Sequence, residues 1–92
     1  MKLKDTVKMM CSEDYKERFI AEYNQTKLRY EKLKAFNTAI EAAECTRCNP
    51  NITPVSMPQH DCPEVLLREQ QRVMGEYLHI LEVRAAIEKI TL

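Results

Sequence analysis

Tryptophan is absent from this 92-residue chain, and glycine occurs once, at Gly75. The four prolines stand at positions 50, 54, 58 and 63, all inside one short stretch. Glycine and proline punctuate loops. A chain almost free of them elsewhere has little room for turns and reads as a few long helices. One glycine cannot build the Gly-rich loop that cradles a phosphate. Net charge is also lacking, because fourteen Lys and Arg balance fourteen Asp and Glu. Non-specific DNA binding draws its energy from cations that neutralise phosphates, so no DNA partner is expected. No apolar run approaches the ~20 residues that span a bilayer. The opening Met1-Lys-Leu-Lys-Asp-Thr-Val-Lys is too polar for a secretory signal. The expectation is a cytoplasmic protein with no membrane partner. In that reducing compartment its four cysteines read as thiols or metal ligands more than as disulfides.

The rest of the chain divides cleanly. Residues 1–12 are an N-terminal extension in which Leu3, Val7 and Met10 have helical spacing. Ser12 followed by Glu13 and Asp14 reads as a helix start, a capping hydroxyl and then acids facing the positive end of the dipole. From Glu13 to Glu44 there is neither Gly nor Pro. Phe19, Tyr23, Thr26, Tyr30, Leu33, Asn37 and Ile40 alternate by four and three residues, the stripe of one helix face. A first helix is expected over 13–44, roughly 45 Å long. Residues 45–62 hold Pro50, Pro54 and Pro58 and are expected to form a non-helical connector. A connector that long points to function or to a staple. Cys62-Pro63-Glu64 opens a second helix over 63–90, with proline at its first position. Leu67, Gln70, Met74, Tyr77, Leu81, Arg84 and Glu88 form its expected inward stripe. Leu66, Val73, Ile80 and Ile87 recur every seven residues beside it. The apolar face is broader than a two-helix contact needs, and so small a chain buries little by itself. The expected fold is all-α: one domain over 1–92, a long antiparallel helical hairpin with a Cys/Pro-rich connector, assembling into a homo-oligomeric bundle.

Two constellations carry candidate chemistry. Cys45-x-x-Cys48 with His60-x-Cys62 offers four ligands for one tetrahedral zinc. Such a closed site would be structural and would pin the two helix ends across the loop. The alternative is four unrelated residues of a loop. A Cys/His nucleophile pair has no orienting third group, so no catalytic residue and no enzyme is expected. The second constellation is the set of polar residues at stripe positions. Tyr23, Tyr30, Gln70, Tyr77, Arg84 and Glu88 stand where a simple bundle prefers Leu. They either satisfy one another and set register or line a ligand pocket between subunits. In the second reading Tyr30 and Tyr77 stack on bases while Arg68, Arg72 and Arg84 grip phosphates.

The run Cys62-Pro63-Glu64-Val65-Leu66-Leu67-Arg68-Glu69-Gln70 has a specific look. So does Met74-Gly75-Glu76-Tyr77-Leu78-His79-Ile80-Leu81-Glu82-Val83-Arg84-Ala85. With Tyr15-Lys16-Glu17-Arg18-Phe19 and Tyr30-Glu31-Lys32-Leu33 before them, the chain resembles small tailed-phage proteins related to crAss-like phage, over roughly residues 13–90. The Cys45/Cys48 pair departs from that pattern. In architecture, size and an aromatic, Arg-bearing helix the chain is also similar to helical-hairpin anti-CBASS and Thoeris anti-defence sponges. That resemblance implies sequestration, without cleavage, of a nucleotide-derived immune signal, a cyclic nucleotide or an ADP-ribose derivative. The alternative is an adaptor, zinc-stapled or not, that binds a host or phage protein.

Overall fold

A computed structural model describes all 92 residues. A 3-10 turn over Leu3–Thr6 leads into a one-turn helix α1 (Val7–Met10), then α2 (Tyr15–Arg47) and α3 (Glu64–Glu88). There is no strand.

Helix α2 starts two residues later than the sequence reading placed it. Two caps act in succession. Ser12 Oγ accepts from the Asp14 amide at 3.0 Å, and Asp14 Oδ1 accepts from the Lys16 amide at 3.0 Å. Asp14, in extended backbone, is therefore the N-cap. At the other end α2 runs through Cys45, Thr46 and Arg47, which corrects the expectation that the non-helical connector begins at residue 45. The first proline is Pro50. Its ring clashes only with the carbonyl four residues back, and its restriction falls on Asn49, so nothing stops the helix before Arg47. Helix α3 stops at Glu88, short of 90. Lys89 turns left-handed at φ 58°, and the Ile90 amide reaches back to the Ala85 carbonyl at 2.8 Å. This C-terminal turn folds Ile90 onto the core, where it is buried.

The two long helices run in opposite directions. Tyr15 bonds Glu88, Tyr23 bonds Glu82, and Asn37 bonds Leu67. On α2 the expected stripe is the buried one, with Phe19, Tyr23, Asn37 and Ile40 inside. On α3 the seam is Leu67, Gln71, Met74, Leu78, Leu81, Ala85 and Glu88. It shares Leu67, Met74, Leu81 and Glu88 with the expected stripe. It replaces Gln70, Tyr77 and Arg84 by their next neighbours, because both sets fit a four-three alternation. Small Ala85 and apolar Leu78 make the better contact. Gln70, Tyr77 and Arg84 are exposed as a result.

The main core gathers Phe19, Tyr23, Leu78, Leu81, Ala85 and Ile90. The N-terminal segment packs on α2 and not on α3, and it helps bury Thr6 and Ala21. The whole is a rod of 56 × 26 × 21 Å. No helix is long and apolar enough to cross a membrane.

Candidate binding groove between the long helices

Gly75 sits in the middle of α3, where glycine costs helix stability. Its place is explained by Tyr30 on α2. A Cβ at position 75 would lie 3.3 Å from Tyr30 Cε1 and 3.5 Å from its hydroxyl. The missing side chain lets the ring lie against the α3 backbone. On either side of this contact the helices part. One hollow, of about 340 Å³, continues toward the connector between Asn37, Thr38 and Glu41 on α2 and Arg68, Gln71 and Arg72 on α3. The other, of about 220 Å³, runs the opposite way past Lys27, Glu31 and His79. Tyr30 and Gly75 line both.

The floor of the larger hollow is polar and ordered. Asn37 is buried, and its Nδ2 donates to the Leu67 carbonyl at 3.1 Å and to Gln71 Oε1 at 2.9 Å. This uses both Asn37 donors and leaves the donors of the Gln71 amide uncommitted. The wall carries two cations that already have partners. Arg68 lies 3.6 Å from Glu44 and 3.7 Å from Glu64. Arg72 is held between Glu69 and Glu76, the latter at 2.7 Å. The Arg72 guanidinium keeps the Glu69 carboxyl below its ordinary range, and Glu69 in turn raises Arg72. The Arg72 pairs are largely solvated and contribute little, so a better anion can displace them. Glu64, beside Glu44, pushes the Glu44 carboxyl up. Glu64 Oε1 is buried and has no hydrogen-bond donor within reach, only the Arg68 guanidinium at 3.7 Å.

Of the five ligand residues proposed from sequence, Tyr30, Arg68 and Arg72 line this one groove. Tyr77 and Arg84 do not. Arg84 Nη2 donates to the Tyr15 hydroxyl at 2.6 Å, and Nε to Glu88 at 3.2 Å. Its guanidinium stands 5.1 Å over the Phe19 ring. The Arg84 side chain is 48% exposed, which corrects the expectation that it is desolvated. Arg84 and Glu88, both among the polar stripe residues, thus pair with each other one turn apart. Tyr77 has the Glu22 carboxylate beside its hydroxyl, which raises it. Asn37, Thr38, Glu41, Gln71 and Gly75 are the groove residues the sequence did not assign to a ligand. The signal for Gly75 was its being the one glycine, at mid-helix.

The connector does not assemble the expected zinc set. Cys45 lies in the last turn of α2, and Cys45, Cys48 and Cys62 are free and exposed. His60 Nδ1 is 2.7 Å from the Cys62 carbonyl, and its ring meets Phe36 edge-on at 6.1 Å. Nowhere do three His, Cys, Asp or Glu side chains gather as a metal group.

The fold and groove define a class: small all-helical proteins whose two long helices hold a polar, aromatic-floored cleft between them. The chain belongs to the Sequestin family, whose profile matches residues 13–87. The match spans α2, the connector and α3. No curated protein and no solved structure matches the chain.

Proposed function

We propose that the protein binds a nucleotide-derived immune signal in the Tyr30–Gly75 groove and withholds it without cleaving it. The observation that carries this reading is the meeting of Tyr30, Arg68 and Arg72 in one hollow of about 340 Å³, a size suited to a small ligand. A base stacks on the Tyr30 ring, the Gln71 amide bonds its edge, and the arginines exchange their carboxylates for phosphate. The family name, Sequestin, speaks of holding a molecule and names none. The groove is formed by two helices of one chain.

The acids around Arg68 and Arg72 favour the second reading, an adaptor for a host or phage protein, because they oppose an anion until it displaces them. Calorimetry against cyclic nucleotides and ADP-ribose derivatives decides between the two. Binding by at least one is expected, with the ligand recovered intact after heating. Arg72→Ala should weaken it by about 1.5–3 kcal/mol, ten- to a hundredfold. Absence of binding to every member of the panel would leave the adaptor.

A further inference from the structure

Four side chains on α3 stand out for what they fail to cover. Leu66, Val73, Ile80 and Ile87 are 58, 48, 55 and 74% exposed, although each is large and aliphatic. They recur every seven residues, so they form one continuous line along the helix. Val83, at 45%, and Tyr77, at 39%, widen it. Helix α2 occupies the seam beyond Leu67 and Leu81, and the N-terminal segment packs on α2 alone, so nothing in this chain reaches the line. We propose that a second copy of the chain covers it, with the two α3 helices packed antiparallel about a two-fold axis.

Area and charge both point to a second copy. The exposed apolar surface of the line is on the order of 600 Å² per copy, so two copies bury ~1,200 Å², the lower end of the range for specific interfaces. A seven-residue aliphatic repeat matches itself in a left-handed helix pair. The row beside it is Glu69, Glu76 and Val83. In a parallel pair equal positions meet, and each of these glutamates faces its own copy across the seam. In an antiparallel pair the aliphatic line of one helix lies against the Glu69–Glu76–Val83 row of the other. The carboxylates then pass aliphatic stems toward water and never meet each other. Arg72, held between Glu69 and Glu76, offsets one of these two charges, and the like-charge contact that is left favours the antiparallel orientation.

The arrangement leaves the groove free. Arg68 and Gly75 follow Leu66 and Val73 by two residues, about 200° around the helix, while Arg72, one residue before Val73 and about 100° away, stands at the rim between the line and the groove. The dimer is therefore back to back, with one open groove per copy, and it holds whatever the groove binds.

Sedimentation and light scattering test the assembly. Wild type at micromolar concentration should have twice the chain mass. Ile80→Glu should weaken association at least ~100-fold and leave the helical circular dichroism intact. Val73→Asp, on the same line, should do likewise. A wild type that stays monomeric, or an unchanged mass in both variants, overturns the proposal. Orientation is read by spin labels at Val65→Cys, with the four native cysteines changed to Ser. Antiparallel helices separate the two labels by ~30 Å or more. A separation under ~20 Å means parallel helices and overturns the two-fold arrangement.

Discussion

Tyr23 places its hydroxyl 2.6 Å from Glu82 Oε2 and so ties α2 to α3 with a charge-assisted bond. That bond, with burial second, pushes Tyr23 from 10 up to about 12. The folded chain thus holds this proton more tightly than the unfolded chain. The contribution is fully present below the ordinary tyrosine value and is lost as pH rises through about 12. Glu82 is half solvated, so Tyr23→Phe should cost only about 1 kcal/mol at neutral pH. The variant should also lose less stability than wild type in denaturant titrations carried into that alkaline window; equal losses would mean the bond does not form. Gly75→Ala separates stability from binding. Alanine gains ~1 kcal/mol of helix propensity, while its Cβ, 3.3 Å from Tyr30, pushes the half-buried ring outward by a few tenths of an ångström. The variant should unfold at equal or higher denaturant and bind nucleotide several-fold more weakly. Unchanged affinity would show that the ring is not the stacking surface.

At the scale of the element, the placement of α3 turns on which of two overlapping alternations faces α2. Leu81 is 1% exposed at the centre of the seam, and Leu81→Ala should cost about 2–5 kcal/mol. Gln70, inward in the sequence reading and exposed in the structure, should tolerate alanine within ~0.5 kcal/mol. A large loss at Gln70 in urea melts would return it to the seam. The same one-residue rotation explains the fate of the polar stripe residues. Tyr77 and Arg84 turn to the flank, where Glu22, Tyr15 and Glu88 engage them. Glu88 stays in the seam. Helical periodicity sets a stripe to within one neighbour. The partner helix, with Leu78 and Ala85 available, chooses between them.

The whole molecule is a rod, with a Cα radius of gyration of 17.2 Å. A compact chain of this length has roughly 12 Å. Small-angle scattering on the Ile80→Glu variant should return a value near 17.2 Å. The associated wild type should double the mass while keeping the longest dimension close to 56 Å, because back-to-back rods lie side by side. A scattering curve with doubled length would place the copies end to end.

The sequence by itself determined that the chain is helical, where its two long helices lie to within a few residues, and that α3 carries more apolar surface than α2 can cover. These follow from local facts: one glycine, four clustered prolines and a three-four alternation act within a few residues and need no partner. It also marked Tyr30, Arg68 and Arg72, since aromatic and guanidinium groups declare their chemistry by type. Only the tertiary structure decided that these three share a groove while Tyr77 and Arg84 stand elsewhere, because the rotation of α3 against α2 is settled by packing across the seam. It alone explained Gly75, whose missing Cβ matters only when Tyr30 arrives from another helix. The connector shows the same limit: spacing lined up Cys45, Cys48, His60 and Cys62, but α2 carries Cys45 into its last turn and Phe36 and the Cys62 carbonyl engage His60, so spacing alone did not bring them together.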